Sequence, residues 1–258
     1  MDAAALQSLF TILPAVLLHV VRATAFLSAV SLLGTGGPSR IARLVVGTGL
    51  GAATFFAAGA PVMVFGSVLE LAVAAGREAL IGLLAGFSIQ AVLGAVTVAG
   101  DILAHETGLT MARFLDTESG RQDASTTRFL EALVMLLVFE LDLHHDALRV
   151  VLATHEHVPV GGTFELGPVV AALTTTITGA LALGLRLIAP VFAILWLTTV
   201  VLVVLARAVP NLNLLEFSFG FRILVAFGAT ALFLSPAFAH LADVLREQFA
   251  AARTLFAN

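Results

Sequence analysis

Cysteine is absent from this 258-residue chain, which excludes disulfides, thiolate catalysis and every cysteine-based metal site. Lysine is absent as well, since all 13 basic residues are arginine. A phosphate loop ending in Gly-Lys-Ser/Thr and a Schiff-base lysine are therefore impossible. Charge is scarce, at 12% of residues, against about 25% in an average soluble domain. The net charge of −4 is spread thinly and supplies no basic stripe for nucleic acid. There is no Gly-x-Ser-x-Gly elbow and no acid pair spaced for intramembrane proteolysis, so neither catalysis nor a cofactor is expected.

What the chain has in abundance is uncharged apolar sequence: 59% of residues are hydrophobic and the mean hydropathy is +1.04. Residues 44–69, 79–100, 166–185, 187–206 and 223–242 each run without a charge. A helix needs roughly 20 apolar residues to cross a hydrocarbon core about 30 Å thick, so an all-α polytopic membrane protein is expected. A sixth apolar run, residues 10–33, carries one charge, Arg22, near its centre. The N-terminus lacks the positive region of a signal peptide and its apolar run is longer than a signal core, so it reads as a retained first span.

Gly34, Gly36, Gly37 and Pro38 halt the first span, and Arg40 and Arg43 mark an interface after it. Glu70, Arg77 and Glu78 follow the second span, and Asp101 ends the third. One long polar segment then runs to Glu131, interrupted by Leu109, Met111, Phe114 and Leu115. Residues 129–153 read as a helix that is apolar only in its first half, closed by the turn residues Pro159, Gly161 and Gly162. The two windows flanking Arg186 would overshoot a bilayer as one straight helix, so a break is expected between Arg186 and Pro190. Counting seven crossings on that basis, the arginine distribution puts the C-terminus in the cytoplasm. Residues 241–256 carry Leu241, Val244, Leu245, Phe249 and Ala252 at amphipathic spacing, a helix suited to an interface or a partner.

Gly82, Gly86, Gln90 and Gly94 fall at successive fours, one helical stripe on which another backbone can approach and an amide can bond across. Packing within the chain and packing against another subunit both fit. Arg22 facing lipid would cost about 2.5 to 3.5 kcal/mol, so it faces protein or water, either as a pathway residue or in an ion pair or a bond to a helix end. His144, His145, Asp146, His155, Glu156 and His157 are of metal-ligating type. Two adjacent histidines diverge by about 100° on a helix, and no His-Glu-x-x-His pattern is present, so no metal site is expected.

The run Glu78-Ala79-Leu80-Ile81-Gly82-Leu83-Leu84-Ala85-Gly86-Phe87, followed by Ala99-Gly100-Asp101 and by Gly108-Leu109-Thr110-Met111-Ala112-Arg113-Phe114-Leu115-Asp116, resembles the R-type export-gate family of the flagellar type III secretion apparatus and its virulence counterpart. Arg22 sits where that family carries an arginine in its first apolar helix. His144 and His145 through Pro159 and Gly161 look like its Gly-His-His to Leu-Pro-x-Gly region. Arg207-Ala208-Val209-Pro210-Asn211-Leu212-Asn213 is similar to its Arg-x-x-Pro-Gln-Leu-Asn. The chain departs at Thr117 (usually proline), at Leu143 (usually glycine), at Glu216 (usually apolar) and at Ser218-Phe219-Gly220 (usually Gly-Phe-Pro). The histidine pair favours the flagellar branch.

The resemblance implies tilted, broken helical hairpins, with a P-type-like part over residues 1–165 and a Q-type-like part over residues 166–258 of a single membrane-embedded domain. It implies assembly with P-type and Q-type subunits into an inner-membrane channel in the flagellar basal body. B-type and A-type export proteins would be further partners, and unfolded flagellar proteins the cargo. It also implies a channel plug over residues 108–116, namely Gly108, Met111, Phe114, Leu115 and Asp116, with Met111 and Phe114 occluding, and intramembrane charges at Arg22 and Arg207. A polar segment carrying bulky apolar tips suits a gate that closes by dewetting. The alternatives are a solute carrier using Arg22, Gln90, Arg186 and Glu216 as pathway residues, and a scaffold without a pore.

Overall fold

The computed structural model describes residues 3–30, 40–108, 125–209 and 214–256. Among them seven α-helices occur: α1 (Ala3–Ala29), α2 (Arg40–Ala57), α3 (Val68–Glu106), α4 (Ser125–Glu140), α5 (Leu143–His157), α6 (Leu166–Ala208) and α7 (Leu214–Arg253). No strand is present among the described residues. In lipid a helix satisfies its own backbone polar groups, so apolar sequence of this length folds this way. Among the described residues, four stretches are long and apolar enough to cross a membrane: Thr11–Ala29, Arg40–Ala57, Val68–Glu106 and Leu166–Ala208.

The helix boundaries correct three sequence expectations. The charge-free run 44–69 is not one span: α2 stops at Ala57 and α3 starts at Val68. Gly59 (φ 79) and Ala60 (φ 53) turn the backbone left-handed between them, and an uncharged run gives no warning of such a turn. Residues 129–153 form two helices, because Asp142 takes the left-handed conformation (φ 55, ψ 22) between α4 and α5. Conversely, no break occurs at Arg186 to Pro190. The helix α6 runs unbroken for 43 residues with Pro190 inside it, about 65 Å at 1.5 Å per residue, and Arg186 stands exposed on its surface. The seven-crossing count that rested on that break falls with it.

The chain folds as two compact units. The first takes the described residues of Met1–Ala91, Val138–Ile177 and Arg246–Asn258. In it α1 and α2 form a close hairpin: a Cβ on Gly47 would lie 2.4 Å from Thr24 Cγ2, and one on Gly51 would lie 2.5 Å from Val20 Cα. The Met63 N–H donates to the Thr11 carbonyl at 3.2 Å, tying the link after α2 back to α1. The part of the amphipathic C-terminal stretch that belongs to this unit buries Phe249 and Ala252. At its end Arg253 is bonded to Asp146, and the Phe256 ring meets Phe164 edge-on at 5.6 Å.

The second unit takes the described residues of Val92–Leu137 and Thr178–Leu245. Its core is a cluster of Ala99, Leu103, Ile188, Val191, Leu195, Ala226 and Ala229. A Cβ on Gly184 would come within 2.5 Å of the Ala95 carbonyl oxygen, so α6 and α3 touch backbone to backbone there. Thr97 donates to Glu131 Oε1 at 2.8 Å and Thr127 to Asp101 Oδ1 at 2.9 Å, so two acids on the α3 and α4 segments are hydrogen-bonded. Outside, α6 exposes Trp196, Leu197, Val200, Val201, Val203 and Val204, an apolar surface that water would not tolerate uncovered.

Candidate functional site: a buried charge network and a helix end

The most demanding chemistry in the first unit surrounds Arg22. Its side chain is 1% exposed and that of Glu78 is 0% exposed. Arg22 Nε donates to Glu78 Oε2 at 2.5 Å. Its Nη1 donates to two backbone carbonyls, Thr154 at 2.8 Å and Val158 at 2.9 Å. These belong to the last turn and the C-cap of α5. Helix C-termini leave carbonyls unpaired and carry partial negative charge, so a guanidinium there satisfies both the acceptors and the dipole. Glu78 uses its second oxygen to accept the Gly161 N–H at 2.8 Å, in the turn where Gly161 has φ 79. Of the guanidinium nitrogens of Arg22, Nη2 is buried with no hydrogen-bond partner among the described residues.

One ion pair therefore holds α1, α3, the end of α5 and the turn after it. A charge placed in an apolar helix becomes tolerable when a counter-ion and directed acceptors replace its water. Arg22 thus makes both an ion pair and a helix-end bond. The sequence pointed to Arg22 and not to its partner. Glu78 stands at the edge of a charge-free run and reads as an interfacial charge, whereas α3 continues ten residues further toward its N-terminus and carries Glu78 inside.

Two histidines line the network. The His19 and His155 rings stack at 5.1 Å and 15°, and Phe55 meets His19 edge-on at 5.6 Å. His155 Nδ1 bonds the Val151 carbonyl at 2.9 Å. Burial, reinforced by the nearby Arg22 charge, holds the His155 imidazole down to about 4, against an ordinary 6.5. It is neutral at physiological pH.

The small-residue stripe divides by position. A Cβ on Gly82 would lie 2.3 Å from the Arg22 carbonyl oxygen, and one on Gly86 would lie 2.6 Å from that of Phe26. These two glycines let α1 lie directly on α3 and bring Arg22 within reach of Glu78. Gln90 is half-buried, while Gly94 has open space around it. Arg207 is exposed in the last turn of α6, where a cation suits the helix dipole.

Of the expected plug, Gly108 is described. Met111, Phe114, Leu115 and Asp116 lie outside the described residues. Gly108 follows the end of α3 with φ 77, and its N–H bonds the His105 carbonyl at 3.1 Å. This is the geometry of a glycine helix stop, and the Phe219 ring closes over it.

Comparison with known proteins agrees with the motif resemblance. The profile of the bacterial export proteins, family 1, matches residues 13–248. The flagellar biosynthetic protein FliR of Bacillus subtilis (strain 168) is 25% identical, over 98% of this chain and 98% of its own length. FliR of Escherichia coli (strain K12) is 26% identical over 66% of this chain and 70% of its own, and FliR of Caulobacter vibrioides is 27% identical over 45% and 46%. With its buried arginine, its helical hairpin and this match along nearly the whole length, the chain belongs to the bacterial export proteins, family 1.

Proposed function

We propose that this protein is a core subunit of the flagellar type III protein-export gate, joining P-type and Q-type subunits to form the inner-membrane channel for unfolded flagellar proteins. The observation that carries the reading is the family match over residues 13–248, together with relatives named as flagellar biosynthetic proteins. Those names favour the flagellar system over the virulence one and a protein channel over a solute carrier. The exposed apolar face of α6 supports the reading physically, as a surface for lipid or for neighbouring subunits. The P-type-like part corresponds to residues 1–165 and the Q-type-like part to residues 166–258.

In this reading residues 108–116 plug the resting channel. Gly108 supports it as a left-handed residue (φ 77) just past the end of α3. Without lysine no phosphate loop can occur in the sequence, so in this reading the energy for export comes from elsewhere. The test is co-purification: the tagged chain, extracted gently from the bacterial inner membrane, brings P-type and Q-type subunits with it, and its deletion abolishes flagellar export. Solute flux by the isolated chain in vesicles, with no associated subunits, would support the carrier instead.

A further inference from the structure

We infer that Asp142, His144 and His145 form a binding site for a borderline divalent transition metal such as Zn²⁺, at the joint between α4 and α5. One ligand atom from each of the three lies within 4.8 Å of the others. Around a tetrahedral ion with bonds of about 2.1 Å, ligand atoms stand about 3.4 Å apart. Rotation of exposed side chains closes that difference.

The backbone creates this convergence. Asp142 occupies the N-cap of α5, where an aspartate normally bonds the helix N–H groups through its side chain. Its left-handed conformation prevents that, and no side-chain cap bond forms. The carboxylate instead stands 3.5 Å from His145 Nδ1. The two imidazoles, expected to diverge on a helix, have ring centroids 4.1 Å apart and tilted by 39°. His144 is steadied by Phe139 at 5.3 Å, and its Nδ1 is buried without a hydrogen-bond partner, so that nitrogen is not committed elsewhere.

Neighbouring groups limit the ligand set. Asp146 is held by Arg149 at 3.1 Å and by Arg253, and so does not join. Two imidazoles and one carboxylate, with no sulfur, select Zn²⁺, Ni²⁺, Cu²⁺ or Co²⁺ over the oxygen-seeking Ca²⁺ and Mg²⁺. Three protein ligands leave a fourth position for water or for a group from another chain. An ion here fixes the start of α5, the helix whose other end Arg22 holds.

The test titrates Zn²⁺ into the full chain, purified in detergent with its affinity tag removed and its metals stripped by chelation. Calorimetry gives the stoichiometry, and the visible absorption of Co²⁺ in the same preparation reports the coordination. His145→Ala and Asp142→Asn alter exposed residues and leave the buried packing intact. His157→Ala, an exposed histidine at the other end of α5, is the control. The expected result is one Zn²⁺ per chain, bound at least roughly 10- to 100-fold more weakly in His145→Ala and Asp142→Asn, and unchanged in His157→Ala. Absence of stoichiometric binding overturns the site. So does equal affinity in His145→Ala and the unaltered chain, or loss of binding in His157→Ala.

Discussion

Arg22 and Glu78 stand 56 residues apart in the chain and meet at 2.5 Å, both out of solvent, with the guanidinium also holding the last carbonyls of α5. Removing one member leaves the other as an uncompensated buried charge, worth about 3–5 kcal/mol. Arg22→Ala and Glu78→Ala should each lower the unfolding midpoint in detergent strongly. The double variant Arg22→Met with Glu78→Met should lose less than the two single losses combined, because no lone charge remains. Thermal denaturation followed by circular dichroism measures all three, and strictly additive losses would contradict the pairing.

The glycine stripe gives a contrast within one helix. At Gly82 an added Cβ meets the Arg22 carbonyl, a backbone atom that cannot swing aside, whereas at Gly94 it meets nothing. Gly82→Ala should therefore destabilise by about 1–3 kcal/mol through overpacking. Gly94→Ala should be neutral or stabilising by up to about 1 kcal/mol, from helix propensity alone. The same detergent melts read both, and equal effects would remove the close approach of α1 to α3 as the reason for the stripe.

His155 gives the pH dependence a sign. Its imidazole is depressed to about 4, chiefly by burial and then by Arg22, with His19 and Glu78 also facing this region. Between about 4 and 6.5 the unfolded chain binds a proton that the folded chain refuses, so stability rises with pH across that window. The contribution is complete above 6.5, is lost as the pH falls through the window, and is at most about 3 kcal/mol. His155→Gln should flatten that part of a stability-against-pH curve measured in detergent.

Charge-free runs located the apolar helices because lipid imposes one requirement on every residue of a span. Their ends were less legible. Left-handed residues, Gly59 with Ala60 and then Asp142, separate helices where the apolar pattern alone gives no stop, while Arg186 and Pro190 look disruptive and leave α6 continuous. Arg22 was conspicuous because a lone charge in an apolar helix demands a partner. Glu78 was hidden because carboxylates at the ends of apolar runs are commonplace, and its pairing depends on the α1 crossing that Gly82 and Gly86 permit. The histidine pair was judged on ideal helix spacing, which does not describe the first turn of α5 after a left-handed residue.

Gly108 links stability to gating. Its φ of 77 is one that alanine adopts at a cost of about 1 kcal/mol. Gly108→Ala should redirect the segment after α3, and removal of residues 108–116 should raise ion leak through assembled gates while export is retained or altered. Conductance of gates reconstituted in planar bilayers measures both. Unchanged permeability would count against a plug in this segment.

The absence of cysteine from the chain makes the most direct test clean. A single cysteine at Met111 or Phe114, introduced as Met111→Cys or Phe114→Cys in the assembled gate, should crosslink to an export substrate stalled in transit. A cysteine replacing exposed Leu197 on α6 should not. Crosslinking from Leu197→Cys alone, with none from positions 111 and 114, would contradict a channel closed by this segment.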